Sequence, residues 1–398
     1  MGVVPQAERL GLYVSVPFCR AKCSFCNFAS GVSSAERVAE YVRRLCAEID
    51  GVEERVSALG AQLPRRVDTV YFGGGTPSLL EPTQLGQIFS ALRRQFDLDP
   101  EAELTLEAAP GQIPDELLNE AMALGVNRAS LGIQSFIDRE SSAVGRTHTG
   151  ESCVAEMERL RRRGLENVGA DLIAGLPYQT HESWKVSLKA ACESGLAHVS
   201  VYLLEIDEGS RLGREILGGG ARLHAPAVAS EELAAELYEQ ACDFLPQYGL
   251  EQYEISNFAR AGRQSRHNRK YWTRAPYLGF GLDAHSMLLR TDGGAVRFAN
   301  PDQLEDYETA AAVEVTDITK RDAFEESIFL GLRLNEGVAV SALREQHPTA
   351  WVNECAERVA MLTREGMMSA DADRWKLTRR GRLVSSEVFG ELLAGVGA

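Results

Sequence analysis

The chain has 398 residues, of which 44% are apolar and 25% charged, an ordinary balance for a soluble globular protein. At about 150 residues per domain, two or three domains are expected. Its 57 acidic residues outweigh 42 basic ones for a net charge of −15, which argues against a nucleic-acid-coating role, because such proteins need Lys and Arg to neutralise phosphates.

The stretch from Met1 to Leu10 lacks the apolar core of a secretory signal. No window approaches the ~20 apolar residues of a membrane span. A cytoplasmic location is the expectation. Eight cysteines over this length make no disulfide scaffold; in a reducing compartment, a tight cysteine cluster points to metal or redox chemistry.

From residue 11 to about 255, short β-branched or aromatic runs alternate with longer amphipathic ones. The predicted strands are Leu12–Val16, Thr69–Phe72, Leu104–Glu107, Arg128–Gly132, Val168–Ile173 and Val199–Leu203. The predicted helices between and after them are Ala35–Leu59, Thr83–Phe96, Pro114–Leu124, Gly150–Arg163, His181–Glu193 and Ser230–Tyr248. Six β-then-α units predict an α/β fold with a parallel sheet. Right-handed crossovers wind such units into a partial (β/α) TIM-like barrel or a doubly wound sheet. Gly218-Gly219-Gly220 marks a flexible connection. Residues 255–300, rich in Arg, Asn, aromatics and glycine, read as a loop-dominated insertion. Beyond Thr316 the texture becomes helical, with Ser341–Gln346, Val352–Glu365 and Val384–Leu393. Trp375-Lys376-Leu377-Thr378 and the turn at Arg380-Gly381 add a β-wing, so the C-terminal unit reads as a small winged-helix-like domain. The expected domains are 1–250, 251–315 and 316–398.

Residues able to do chemistry sit in or just after predicted strands, where α/β folds place their active sites. Cys19 follows the first strand, Gly73 the second and Gln134 the fourth; Glu107 ends the third, and Asp171 lies in the fifth. Cys19, Cys23 and Cys26 form a Cys-x3-Cys-x2-Cys loop. Three thiolates can wrap a four-iron cube and leave one iron open to a chelating substrate. The alternatives are a zinc site, which wants a fourth ligand, or buried structural cysteines. The remaining Cys46, Cys153, Cys192, Cys242 and Cys355 lie singly in helix-like runs, where free Cys is a small core hydrophobe. Arg20 and Lys22 beside the loop are expected to lower the thiol pKa values.

Gly73-Gly74-Gly75-Thr76-Pro77 follows a strand; consecutive glycines let a ligand touch backbone. Glu107 suits a ribose diol, and Arg146 could pair with a carboxylate. The cysteine spacing, the glycine element and the ordered Glu107, Gln134, Arg146 and Asp171 together resemble the radical S-adenosylmethionine (SAM) superfamily. The likeness runs along nearly the whole chain to the branch containing anaerobic coproporphyrinogen III dehydrogenase and the HemW haem chaperones. It implies a 4Fe-4S cluster on Cys19, Cys23 and Cys26, with SAM on the open iron and its reductive cleavage to a 5′-deoxyadenosyl radical. It also implies SAM contacts from Tyr13, Phe25, Gly74, Gly75, Thr76, Glu107, Gln134, Arg146 and Asp171.

Within that branch the decarboxylase typically has a fourth cysteine two positions after the third, where this chain has Phe28. It also carries a long N-terminal arm, whereas twelve residues precede Tyr13 here. The element His267-Asn268-Arg269-Lys270-Tyr271-Trp272 resembles the chaperone signature. His267 could ligate haem iron, Tyr271 and Trp272 could stack on the macrocycle, and nearby arginines could pair with propionates. His285 is a rival ligand. Two positions depart from the pattern: Ala109 stands where relatives often have Asn, and Tyr178 where they often have Gly. The resemblance thus implies a haem chaperone with an acceptor haemoprotein and an electron donor, a homodimer being an alternative to a monomer. The second reading is a radical enzyme that oxidatively decarboxylates coproporphyrinogen III. A zinc-dependent interaction protein is the third.

Overall fold

The computed structural model describes residues 9–290, 294–309, 313–371 and 373–393. Strand β1 (Leu10–Val16) buries both faces, as a strand inside a parallel sheet must. The predicted helix Ala35–Leu59 is two: α1 (Ala35–Asp50), capped by Ser34, and α2 (Val52–Ala58), with a break at Gly51. Glycine is the poorest non-proline helix former, and here it ends one helix and starts the next.

The units continue as β2 (Arg66–Gly74), α3 (Pro82–Gln95), β3 (Asp97–Ala108), α4 (Asp115–Leu124) and β4 (Arg128–Gln134). A short α5 (Asp138–Ala143) and α6 (Gly150–Arg162) lead to β5 (Asn167–Ala174), α7 (His181–Glu193) and β6 (His198–Leu203). Strands β1 to β6 pair in parallel in chain order. A doubly wound sheet would reverse its strand order at a switch point; this one winds in a single direction, as a (β/α) barrel does. Its two edge strands remain separate, so the barrel is partial.

After β6 come α8 (Arg211–Leu217) and α9 (Glu231–Phe244). Residues 255–300 then depart from the loop-dominated expectation. They contain β8 (Asn257–Ala259), preceded by β7 (Glu251–Gln252), then α10 (Arg266–Trp272), β9 (Tyr277–Phe280), β10 (His285–Leu289) and β11 (Ala295–Ala299). With α11 (Leu304–Glu308) and β12 (Glu314–Ile318), the segment extends both edges into a 12-stranded sheet. β8 pairs antiparallel with β6, and β9 runs parallel to β1. These strands are short and carry glycine and arginine, so their period is weak; they form because two barrel edges need partners.

Buried Glu48 of α1 ties the added strands to the barrel. It accepts hydrogen bonds from Arg55 Nη1 (2.7 Å), Gly281 N (3.0 Å), Tyr307 Oη (2.7 Å) and Asn300 Nδ2 (2.8 Å). A buried carboxylate left without such partners would be strongly destabilising.

The C-terminal unit has its own core, built on Phe324, Ile328, Val352, Val359 and Trp375. Helix α12 (Lys320–Arg333), which the sequence reading did not delimit, precedes β13 (Val338–Ala339), α13 (Val340–Gln346) and α14 (Thr349–Arg364). β14 (Met368–Ala370) and β15 (Arg374–Leu377) complete a three-stranded wing, followed by α15 (Arg379–Leu383) and α16 (Ser385–Leu393). The expected winged-helix-like shape is present. The unit docks on the barrel through Arg274 to Glu326 (2.8 Å), Arg269 to Glu336 (2.8 Å) and Arg333 over the Trp272 ring.

A candidate cofactor site at the open end of the barrel

The loop after β1 is held shut at its base. Phe18 bridges to Gly31, with Cys19 N donating to Gly31 O (2.9 Å) and Gly31 N to Pro17 O (2.9 Å). Its far side is pinned by Ser24 N to Val144 O (3.1 Å), Leu212 N to Ser24 O (2.8 Å) and Asn27 Nδ2 to Asp207 Oδ2 (2.6 Å). The backbone between these anchors presents Cys19, Cys23 and Cys26 to one cavity of about 450 Å³. All eight cysteines are free. Among the described residues no three His, Cys, Asp or Glu side chains gather as ligands of a single ion would. The thiols instead face a shared space from one loop, the spread suited to a cluster held at three corners.

Donors reach the sulfurs: Thr76 Oγ1 lies 3.6 Å from Cys19 Sγ, and Arg146 Nη1 lies 3.5 Å from Cys23 Sγ. Burial pushes the Cys26 thiol up, and the pull of Lys22 does not offset it. Lys22 thus acts on Cys26 in the expected direction and is outweighed by burial. Lys22 spends its ammonium on Phe28 O at 2.8 Å, and Arg20 is exposed to solvent.

The glycine triplet is demanded by the protein as much as by any ligand. A Cβ at Gly75 would lie 2.7 Å from Phe18 N and O and 2.8 Å from Val16 O. Gly74 has φ +99°, a left-handed conformation that favours glycine. This lets β2 end against the cluster loop, with Gly75 N bonded to Val16 O (2.9 Å) and Thr76 N to Phe18 O (2.7 Å).

The other strand ends supply polar groups to the same cavity: Glu107 from β3, Gln134 beyond β4 and Asp171 from β5, with Arg146 and Phe25 alongside. Burial pushes Glu107 up to about 7, against the Tyr71 hydroxyl that donates to its Oε1 at 2.6 Å. Burial also raises Asp171, whose oxygens lie 3.5 Å from Ser130 Oγ. Gln134 sits at φ +70° beside a register shift in the β4–β5 ladder. A bulge of this kind re-aims a side chain at the sheet rim, and a non-glycine residue held left-handed stores strain where function is sited. Arg146 is fixed by a hydrogen bond to Gly132 O.

The geometry departs from the expected site at Tyr13, at His267 and at the basic residues beside it. Tyr13 is absent from the walls of this cavity. Its ring lies 6.1 Å from that of Tyr71 and lines a neighbouring chamber of about 350 Å³. His267 is buried in α10 with both ring nitrogens engaged, Nδ1 with Thr69 Oγ1 (2.9 Å) and Nε2 with Tyr271 Oη (2.9 Å). Burial pushes it down to about 3, so it stays neutral. Its helix begins where Glu103 accepts from the backbone N–H groups of Arg266 (3.2 Å) and His267 (3.1 Å), a carboxylate stabilising a helix N-terminus. Of the basic residues beside it, Lys270 pairs with Asp68 (2.6 Å) and Arg269 with Glu336 (2.8 Å).

Several cavity residues escaped the sequence reading, Tyr202 and Ser130 among them. These two line the cavity from β6 and β4. The strand-end rule that selected Glu107 would have reached Tyr202. Tyr178 explains its own departure from glycine: it is held at φ +69°, its ring under the Arg139 guanidinium at 3.8 Å and its hydroxyl 2.8 Å from His224 Nδ1. Those contacts offset the left-handed backbone.

Residues 13–191 match the Radical SAM superfamily, and residues 318–384 match the HemN C-terminal domain. The heme chaperone HemW of Lactococcus lactis is 32% identical over 385 residues, covering 96% of each chain. A mitochondrial relative in Mus musculus, radical S-adenosyl methionine domain-containing protein 1, is 34% identical over 409 residues, covering 99% of this chain and 90% of its own. Coproporphyrinogen III oxidase (HemN) from Escherichia coli superposes with a TM-score of 0.81 at 24% identity, over 98% of this chain and 91% of that one; at that identity it shows the fold alone. A single-wound parallel barrel, three thiols on the loop after its first strand and relatives this similar along nearly the full length lead to one assignment: the chain belongs to the radical SAM superfamily, whose cofactors are a 4Fe-4S cluster and SAM, within the family of HemW proteins.

Proposed function

We propose that the protein is a haem chaperone: it binds haem beside a SAM-ligated 4Fe-4S cluster and passes the haem to an acceptor haemoprotein. The observation that carries this reading is the naming of its relatives. Proteins called heme chaperone HemW from Lactococcus lactis and Bacillus subtilis are each 32% identical to it over 96% of its length. Cys19, Cys23 and Cys26 would hold the cluster. Gly74, Gly75, Thr76, Glu107, Gln134, Arg146 and Asp171 would hold SAM, Phe25 packing alongside and Tyr13 supporting the wall from its neighbouring chamber. When bound, the cluster supplies one electron at a time to its sulfonium ligand. The protein's own part is to orient that ligand: Arg146 can take the carboxylate, and Gly74 and Gly75 open backbone to the amino group.

On this reading the protein works in the cytoplasm with an electron donor for the cluster. Among the described residues no helix is long and apolar enough to cross a membrane. Residues 1–250 would serve as cofactor barrel, 251–315 as the haem-handling segment and 316–398 as a docking surface or lid. Sedimentation distinguishes a homodimer from a monomer.

The test is a haem titration of oxygen-protected, reconstituted full chain followed by transfer to an apo-haemoprotein. A new Soret band and loss of that band to the acceptor are expected. The second reading, oxidative decarboxylation of coproporphyrinogen III, draws on the HemN fold; Phe28 at the fourth-cysteine position weighs against it. Formation of protoporphyrinogen from coproporphyrinogen III would overturn the chaperone reading.

Glu107 gives a pH prediction. Its pKa near 7 means the carboxyl accepts fully from a ribose diol only when it is ionised, so SAM binding and proton release are linked. Affinity is expected to rise between about pH 6 and about pH 8, by at most about tenfold per unit for one proton. Glu107→Gln should flatten the profile in calorimetric titrations of SAM.

A further inference from the structure

Glu107 reaches the cofactor cavity with one oxygen already held, because Tyr71 Oη donates to its Oε1 at 2.6 Å. Glu107 lines that cavity and Tyr71 does not, so the tyrosine acts through the carboxyl. The sheet register sets up the pair. β2 and β3 match Phe72 with Leu106, and one step further on Gly73 lies across from Glu107. Tyr71, two residues before Gly73, shares its face of β2. Gly73 leaves the space: a Cβ there would lie 3.0 Å from Glu107 Oε2 and 3.1 Å from Tyr13 Cε2. The missing side chain lets the carboxyl lie over β2 within reach of the tyrosine.

The Tyr71 ring is fixed in turn. It stacks against His267, ring centroids 5.3 Å apart, and against Tyr13 at 6.1 Å. The His267 imidazole is itself locked by Thr69 and Tyr271, so the hydroxyl has a rigid mount. Burial, and then the charge of Glu107, raise the Tyr71 pKa, so this group remains a donor. The other titratable and polar groups around the Glu107 carboxyl come from six elements: Tyr13 from β1, the Gly74 N–H from β2, Arg128 from β4, Asp171 from β5, Tyr202 from β6 and Tyr271 from α10. Burial pushes the carboxyl up and Asp171 adds to it, while Tyr71 leads the groups that pull it down, ahead of Arg128 and Gly74. A hydrogen bond donated to a carboxylate favours its charged form.

We propose that Tyr71 is a positioning residue for the cofactor: its hydroxyl fixes the Glu107 carboxyl at the cavity wall and keeps it in the accepting form that a ribose diol needs. This rests on the reading of Glu107 as a SAM contact and adds the residue that sustains the contact at neutral pH.

The test uses Tyr71→Phe, which removes one oxygen and keeps the ring. Two pH titrations of the reconstituted full chain are compared with wild type. One follows the infrared carboxyl band of Glu107 without SAM, isolated by subtracting the spectrum of Glu107→Gln; the other follows SAM affinity by calorimetry. Loss of the hydroxyl should move the carboxyl midpoint up by about one pH unit. The rise in SAM affinity should move with it, so that binding is about fivefold weaker near pH 7 and approaches wild type in alkaline solution. A packing role alone would leave the carboxyl midpoint in place and lower affinity equally at every pH; either result overturns the proposal. If the midpoint moves but Glu107→Gln binds SAM with the wild-type pH profile, the reading of Glu107 as a SAM contact falls, and Tyr71 is left as a clamp with no cofactor role.

Discussion

Replacing Cys23 with alanine is expected to take the reconstituted chain from about four irons and four sulfides to near none. Cys23 is buried at the centre of the loop, with Arg146 Nη1 3.5 Å from its sulfur. Two thiolates cannot hold a cube that three already leave open. No other cysteine lines this cavity, so none can substitute. Cys19→Ala and Cys26→Ala should behave alike, whereas Thr76→Val, which removes only a long contact to Cys19 Sγ, should retain the cluster. The loop's backbone anchors do not involve the thiols, so the far-ultraviolet circular dichroism of the cysteine variants should match wild type. Iron and acid-labile sulfide assays decide the matter. Full cluster content in Cys23→Ala would remove that residue from the ligand set.

Gly75→Ala should damage fold and cofactor together. The added methyl would meet the backbone of Phe18 and Val16 within 2.8 Å, and backbone in a packed sheet cannot rotate aside. Either β2 shifts from β1, or the loop base shifts with Cys19. Overpacking of this kind typically destabilises by about 1–3 kcal/mol. Denaturant unfolding should register that loss, and iron content should fall with it. Gly390→Ala in α16 is the control: a Cβ there meets nothing within 4 Å, and alanine favours a helix over glycine. Equal stability of Gly75→Ala and wild type would show that the close approach is dispensable.

How much of this was legible depends on where stability comes from. The six barrel strands announced themselves because each is an apolar run followed by a long amphipathic helix, and that order also placed Cys19, Glu107 and Asp171 near one end. Strands β7 to β12 carry no such signal. Gly279, for example, lies in a four-residue strand that exists because β1 offers an unpaired edge. Helix α10 was read as loop because its seven residues are too few for periodicity; Ser265 and Glu103 cap it from outside. His267 and His285 look alike in sequence. What separates them is Thr69, which reaches the His267 ring through the fold, and Tyr271, which bonds the same ring from one helical turn on. Gln134 stands out in sequence as a polar residue just after the fourth predicted strand and through the family resemblance; its left-handed backbone is a property of the bulge that no pattern of residue types discloses.

Gly74 and Phe28 belong to two chambers at once, the cofactor's and its neighbour's. Whatever coupling so thin a partition carries is thermodynamically reciprocal: by whatever factor filling the first alters affinity in the second, filling the second alters the first by that same factor. A ligand in the neighbouring chamber would then report the cofactor's presence, and the cofactor would set that ligand's affinity.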